Sequence, residues 1–297
     1  MNETLKTVSD GLAEIVERVS ASLIRVEARK RLPASGIAWS EDGLIITSHH
    51  VVQRDENIQI GLPSGETVTA TLVGRDPSTD LALLRAEARL NVPNWVTEGL
   101  RVGHMVLALG RPGNTAQATQ GIISALGDKA WRTPNGGDVD FYLQTDVVMY
   151  PGFSGGPLVD VSGRVVGLNT SALMRGVSLT LPVATLSRVA SALAEHGHIK
   201  RGYLGVGAQP ARLPEGLAEE LSQETGLLIV TVEGGSPADQ GGLLMGDTII
   251  GLDGQAVRSL DELLSLLSSE RVGREVAVRI MRGGELHELG VVIGERA

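Results

Sequence analysis

Between residues 24 and 181 the chain is a succession of short runs of aliphatic and β-branched residues. They fall at 24–26, 44–47, 58–62, 68–73, 81–84, 105–109, 122–126, 142–144, 157–159, 165–169 and 177–181. Almost every gap carries Gly, Pro, Asn or Asp, as in Glu41-Asp42-Gly43, Pro63-Ser64-Gly65 and Arg111-Pro112-Gly113. These residues bend a chain by supplying positive φ, a preset φ or a local side-chain hydrogen bond. Many short strands joined by tight turns, with no helices between them, predict antiparallel barrels rather than a parallel α/β sheet. The polar gap at 129–140 is the longest, and long loops on such scaffolds often carry function.

Helical spacing flanks this region on both sides. Leu5, Val8, Leu12, Ile15, Val16 and Val19 form one apolar stripe over 4–24, facing either the barrel or a sister subunit. Ala184, Leu186, Val189 and Leu193 mark a second helix over 184–196. Residues 198–202 read as a linker, followed by strand-like runs at 226–232, 247–252, 275–281 and 289–293 with a helix at 260–268. The chain of 297 residues, 42% apolar, has enough material for two cores. The expected division is a helical segment at 1–30, a barrel domain at 31–198 and a smaller α/β sandwich at 199–297.

The formal net charge of −9 argues against nucleic acid as the main partner. Without cysteine the chain has no disulfide, thiol nucleophile or zinc–thiolate site. No apolar run reaches the ~18–20 residues of a membrane span. Met1-Asn2-Glu3-Thr4 lacks the basic and then apolar pattern of a secretory leader. The expected location is therefore cytoplasmic, or extracytoplasmic if the chain has been trimmed at its start.

Gly152-Phe153-Ser154-Gly155-Gly156-Pro157 holds a serine between glycines. A tight turn there exposes the hydroxyl and turns neighbouring N–H groups to one point, as acyl transfer requires. A plain Gly/Ser hairpin turn is the other reading of these six residues. A serine nucleophile needs a base and a carboxylate to orient that base. His50, at the end of the apolar run beginning at Leu44, and Asp80, in Asp76-Pro77-Ser78-Thr79-Asp80, are the candidates. His49 and His50, read as strand neighbours, point to opposite faces and do not share a metal ion. No metal or other cofactor is expected. The order His, Asp, Ser is that of the chymotrypsin-like enzymes.

Thr47 to Val52, Thr79 to Leu83, Gln144-Thr145-Asp146 and Pro151 to Leu158 closely resemble the HtrA/Deg family of serine proteases. So do Ala108 to Pro112 and Thr119 to Ser124. The resemblance implies a mainly β fold, a chymotrypsin-like double barrel with an N-terminal helix followed by a PDZ domain. It implies His50 as general base, Asp80 as orienter and Ser154 as nucleophile, with the N–H groups of Gly152, Phe153 and Ser154 forming the oxyanion hole. Phe153 and Ser48 stand where the family usually has Asn. The primary pocket would be walled by Val148, Met149 and Leu179, and its lack of charge predicts a preference for medium aliphatic side chains. Tyr203-Leu204-Gly205-Val206 resembles a PDZ carboxylate-binding loop, with Leu264 and Leu267 opposite on a helix. Arg132 is a candidate relay from that domain to the oxyanion turn. The expected activity is ATP-independent endoproteolysis of unfolded or damaged proteins, regulated by peptide C-termini, in a homotrimer. The alternative, raised by Phe153, is a non-catalytic chaperone or PDZ scaffold.

Overall fold

The computed structural model describes residues 2–30, 32–174, 176–267 and 271–295. It separates into two compact units, 1–199 and 200–297.

In the first unit, β1 (Leu23–Glu27), β2 (Ala34–Ala38), β3 (Leu44–Ser48), β4 (Ile58–Gly61), β5 (Thr67–Asp76) and β6 (Leu81–Ala86) close a barrel in the order β1-β2-β3-β6-β5-β4. A second barrel contains β7 (Met105–Gly110) and β8 (Gln117–Leu126). Its other strands are β11 (Leu143–Thr145), β12 (Pro157–Asp160), β13 (Val165–Thr170) and β14 (Ser178–Pro182). The short pair β9 (Trp131–Arg132) and β10 (Asp138–Val139) occupies the gap between β8 and β11. The expected mainly β double barrel is thus present.

Alternation explains the uninterrupted apolar runs at 44–46 in β3 and 81–84 in β6. Ile45, Ala82 and Leu84 fill the first barrel with Ile24, Val26, Ile58 and Ile60. Their neighbours Ile46, Leu81 and Leu83 face the other way and meet Leu107, Leu109, Val159, Leu168 and Leu181 of the second barrel. Successive side chains of a strand point to opposite faces, so a strand between two cores must be apolar on both. Strand β2 escapes a sequence reading because Ala34-Ser35-Gly36-Ile37-Ala38 contains a single β-branched residue. Its pairing with both β1 and β3 makes it a strand, and all five residues are buried.

Helix α1 (Asn2–Ser20) packs through its C-terminal half: Ile15 and Val19 are buried against the inter-barrel core, with Leu12 and Val16 beside them. Leu5 and Val8, nearer the N-terminus, are exposed. Helix α2 (Val183–His196) buries Leu186, Val189 and Leu193 in the same core. It ends at Gly197 in the left-handed conformation.

The second unit contains a main sheet in which β16 (Val206–Arg212), β17 (Thr225–Val232), β18 (Thr248–Leu252), β20 (Glu275–Arg282) and β21 (Glu285–Val292) lie in that order. Strand β19 (Gln255–Ala256) pairs with β18, and β15 (Gly202–Tyr203) with β22 (Gly294–Glu295). Among the described residues its α-helices are α3 (Glu215–Leu221), α4 (Pro237–Gln240) and α5 (Leu260–Leu266). Asp247 anchors this unit. Its carboxylate, almost fully buried, accepts two bonds from the Arg282 guanidinium and one from the Leu244 N–H, all at 2.7 Å. Burial alone would raise its pKa, but Arg282 and the Leu244 N–H outweigh burial and hold the carboxyl below its ordinary value. A depressed carboxyl stabilises the fold fully above the unfolded value of about 4 and loses that contribution as pH falls through the folded value. We expect Asp247→Asn to cost about 2–3 kcal/mol near neutral pH, since it removes the charge from a buried carboxylate that accepts two bonds from Arg282. Thermal melts at pH 7 and pH 3 check this: the gap between wild type and variant should narrow at the lower pH.

Candidate active site

The site is assembled from the ends of strands. Strand β3 stops at Ser48, and His49–Val51 form one 3₁₀ turn rather than the strand continuation expected for His50. Asp80, just before β6, has φ 59°, a left-handed conformation that Asp tolerates better than most residues. That backbone turns its carboxylate onto the 3₁₀ turn. Oδ1 accepts the His50 backbone N–H at 2.9 Å, and the ring Nδ1 lies 3.0 and 2.8 Å from the two carboxylate oxygens. The Asp80 carbonyl also accepts the His49 N–H at 2.9 Å. The side chain of Asp80 is only 4% exposed against 30% for His50. The carboxylate is therefore dry and the imidazole within reach of solvent. Burial, and then the Arg75 cation, push the neighbouring His49 below its ordinary pKa, which favours its neutral form.

Thr170 and Ser171, neither singled out from the sequence, join the two halves of the site. Thr170 Oγ1 donates to Asp80 Oδ2 at 2.5 Å, and the adjacent Ser171 Oγ lies 3.1 Å from Ser154 Oγ. The carboxylate and the serine hydroxyl thus abut consecutive residues at the end of β13. Two hydroxyl residues closing the apolar run 165–169 were the available sequence signal.

Tyr150-Pro151-Gly152-Phe153 is a type II turn. Proline occupies its second position, Gly152 with φ 95° its third, and the Phe153 N–H donates to the Tyr150 carbonyl at 3.0 Å. A Cβ at Gly152 would come within 2.5 Å of Pro112 Cβ and 2.9 Å of the Pro33 carbonyl, so the turn needs glycine for space as well as for φ. The Gly152 carbonyl accepts from Ser35 Oγ at 2.7 Å. The N–H groups of Gly152 and Ser154 have no partner among the described residues. This corrects the three-donor expectation: the N–H of Phe153 closes the turn, and two donors remain. The Phe153 ring is fully buried in the second barrel's core and meets the Tyr150 ring edge-on at 5.8 Å. It anchors the turn from behind.

The three pocket candidates separate. Val148 is exposed, Met149 packs partly against the second barrel's core, and Leu179 is buried in the inter-barrel core. Arg132 lies on β9, its Nε donating to the Gly136 carbonyl at 3.1 Å and lying 3.7 Å from Asp138. The gap expected to be an open loop is therefore a hairpin. Thr133 Oγ1 ties it to the Ser78 carbonyl at 2.6 Å, two residues before Asp80.

In the second unit, Tyr203, Leu204, Gly205, Val206, Leu264 and Leu267 all line one groove of about 380 Å³ between the edge strand β16 and α5. Leu204 and Leu267 are buried while Leu264 is partly exposed. Tyr203 Oη donates to Glu233. The N–H groups of Leu204 and Gly205 have no backbone acceptor among the described residues.

Residues 34–168 match the family described as trypsin-like peptidase domain, and residues 202–293 match the PDZ domain. A probable periplasmic serine endoprotease DegP-like from Chlamydia muridarum is 34% identical over 91% of this chain and 55% of its own length. The like-named protein of Halomonas elongata is 37% identical over 91% and 57%. The chain spans about half the length of these curated relatives. Their naming as periplasmic proteins corrects the cytoplasmic expectation, which rested on the lack of a long apolar run and of a leader pattern at Met1–Thr4. The solved structure of an HtrA-type protease, AlgW with tripeptide, is 30% identical, covers 96% of this chain and 97% of its own, and superimposes with a TM-score of 0.76. With two barrels, a PDZ unit and these relatives, the chain belongs to the HtrA/Deg family of serine proteases.

Proposed function

We propose that this chain is an ATP-independent endopeptidase that cleaves unfolded or damaged polypeptides through an acyl-enzyme, outside the cytoplasm. The observation that carries the reading is the grip of Asp80 on His50 and Thr170, next in sequence to Ser171, whose Oγ lies 3.1 Å from that of Ser154. In this reading His50 takes the Ser154 proton as the hydroxyl attacks the scissile carbonyl, then returns it to the leaving amine. Asp80 holds the Nδ1–H tautomer and stabilises the imidazolium that forms. The N–H groups of Gly152 and Ser154 receive the oxyanion, each donor lowering the barrier by about 3 kcal/mol. The rival reading, a non-catalytic scaffold, loses its main support because the Phe153 side chain is packed away from the turn's open face. Labelling of Ser154 by a fluorophosphonate separates the two.

The PDZ unit takes a peptide C-terminus. The terminal carboxylate meets the loop at 203–206 and the peptide adds a strand to the free edge of β16. Occupancy regulates turnover, with the hairpin carrying Arg132 as the segment through which Ser78 and Asp80 would sense the change.

The segment Val147-Val148-Met149 carries no charge, so cleavage should follow medium aliphatic residues such as Val, Leu or Ile. A peptide library read by mass spectrometry checks this, and cuts mainly after Lys, Arg or Asp would refute it.

A further inference from the structure

Two arginines meet away from the catalytic groups. Arg25 on β1 and Arg111 immediately after β7 line one small cleft with Gly61, Leu62, Gly113 and Asn114. Arg25 lies flat over Gly61, where a Cβ would come within 2.8 Å of its Nε. It is compensated by Glu27 at 2.6 Å, and donates from Nη1 to Asn114 Oδ1 at 2.6 Å and from Nη2 to Thr67 Oγ1 at 3.3 Å.

Arg111 is different. It is 6% exposed and has no carboxylate partner among the described residues. Its side chain makes one long bond, Nη2 to the Ser20 carbonyl at 3.4 Å. The Nε atoms of both arginines are buried without an acceptor. A guanidinium does not lose its proton in a protein, so it cannot escape burial by becoming neutral. Burial, and then the Arg25 cation, lower its pKa from the ordinary value, which is the electrostatic sign of a missing counter-charge. Two cations against the single carboxylate of Glu27 leave one positive charge uncompensated inside the fold. Buried charges persist where they are paired. A water could accept the orphaned N–H groups but could not supply the charge.

We propose that the cleft between Arg25 and Arg111 is a binding site for a single monatomic anion, chloride under ordinary conditions. Size favours a small ion: the cleft, partly open to solvent, holds about 10 Å³, close to the space of one water molecule, a poor fit for sulfate or phosphate. The Arg111 N–H donates to Ser35 Oγ at 2.8 Å, and Ser35 Oγ in turn donates to the Gly152 carbonyl. The site therefore lies two hydrogen bonds from the type II turn, although the argument for it does not depend on catalysis.

The test uses the full chain in sodium gluconate, exchanged stepwise for chloride, bromide or sulfate at constant ionic strength, with thermal unfolding as the readout. Chloride and bromide should raise Tm saturably, by about 5 °C when the site is filled, and sulfate should not. Arg111→Met should abolish the response and be at least as stable as wild type in gluconate, because it removes a charge that lacks a partner. Arg85→Met, which breaks an exposed pair with Asp42, should retain the response. Equal slopes for wild type and Arg111→Met, or a response to sulfate alone, would overturn the proposal. If Arg111→Met does not fold, bromide-soaked wild-type crystals decide by anomalous scattering. A peak within hydrogen-bond reach of both guanidinium groups, together with the saturable Tm response, supports the site. An empty cleft, or a peak without that response (an adventitious ion only), overturns it.

Discussion

Ser154→Ala should abolish fluorophosphonate labelling and lower kcat on an unfolded protein substrate by about 10⁶-fold, with the fold intact. The size of the effect follows from the division of labour in acyl transfer. Without the hydroxyl, His50 and Asp80 have no proton to move, and only binding and the Gly152 and Ser154 N–H groups still act on the substrate. The fold should survive because, among the described residues, Ser154 Oγ bonds only to Ser171 Oγ, and both residues retain exposure to solvent. Removing that oxygen leaves no buried group unpaired. Wild-type protein that resists labelling, with or without a C-terminal peptide present, would favour the scaffold reading. Labelling that persists in the variant would move the nucleophile to Ser171, the other hydroxyl at the same point. Mass spectrometry of the labelled peptide distinguishes the two serines.

Asp80→Asn should lower kcat by about 10⁴-fold at neutral pH while leaving KM within a few-fold. Asparagine has nearly the same shape and accepts the left-handed backbone that Asp80 adopts at φ 59°. What it lacks is a second acceptor oxygen. Oδ1 accepts the His50 N–H, Oδ2 accepts the Thr170 hydroxyl, and Nδ1 lies within 3.0 Å of both, so an amide must present its NH₂ group to one of these donors and toward Nδ1. Facing Nδ1, the amide would stabilise the tautomer whose Nε2 carries the proton and cannot accept one from serine. Steady-state kinetics across pH, with a circular dichroism spectrum to establish that the variant is folded, checks this. A loss below tenfold would mean that Asp80 does not orient the imidazole.

Much of this arrangement is visible along the chain. The apolar runs at 44–47 and 81–84 correspond to β3 and β6, because a strand buried on two faces leaves an uninterrupted aliphatic signature. Gly152 and Pro151 announce their turn because only particular residues adopt those backbone angles. The PDZ groove is similarly legible, since the motif at 203–206 and the helix opposite it lie on one lining. Other features left weak or misleading traces. The hairpin β9–β10 sits in a polar stretch whose strands are two residues each. Phe153 looks like a departure that could disable the turn, until its ring is found in the barrel core.

By itself the sequence determined the strand-and-turn rhythm, the glycine-bound serine and the separation into two cores. Each depends on residue type within a few neighbouring positions: side-chain alternation, backbone permission and apolar content. Tertiary structure alone decided that the small residues of β2 become a strand and that Thr170 and Ser171 meet Asp80 and Ser154. It also decided which N–H groups of the turn stay open and that Arg111 is buried without a carboxylate. These outcomes depend on which distant segments exclude water from one another, and a hydrogen bond or a charge acquires or lacks its partner only when that exclusion is complete.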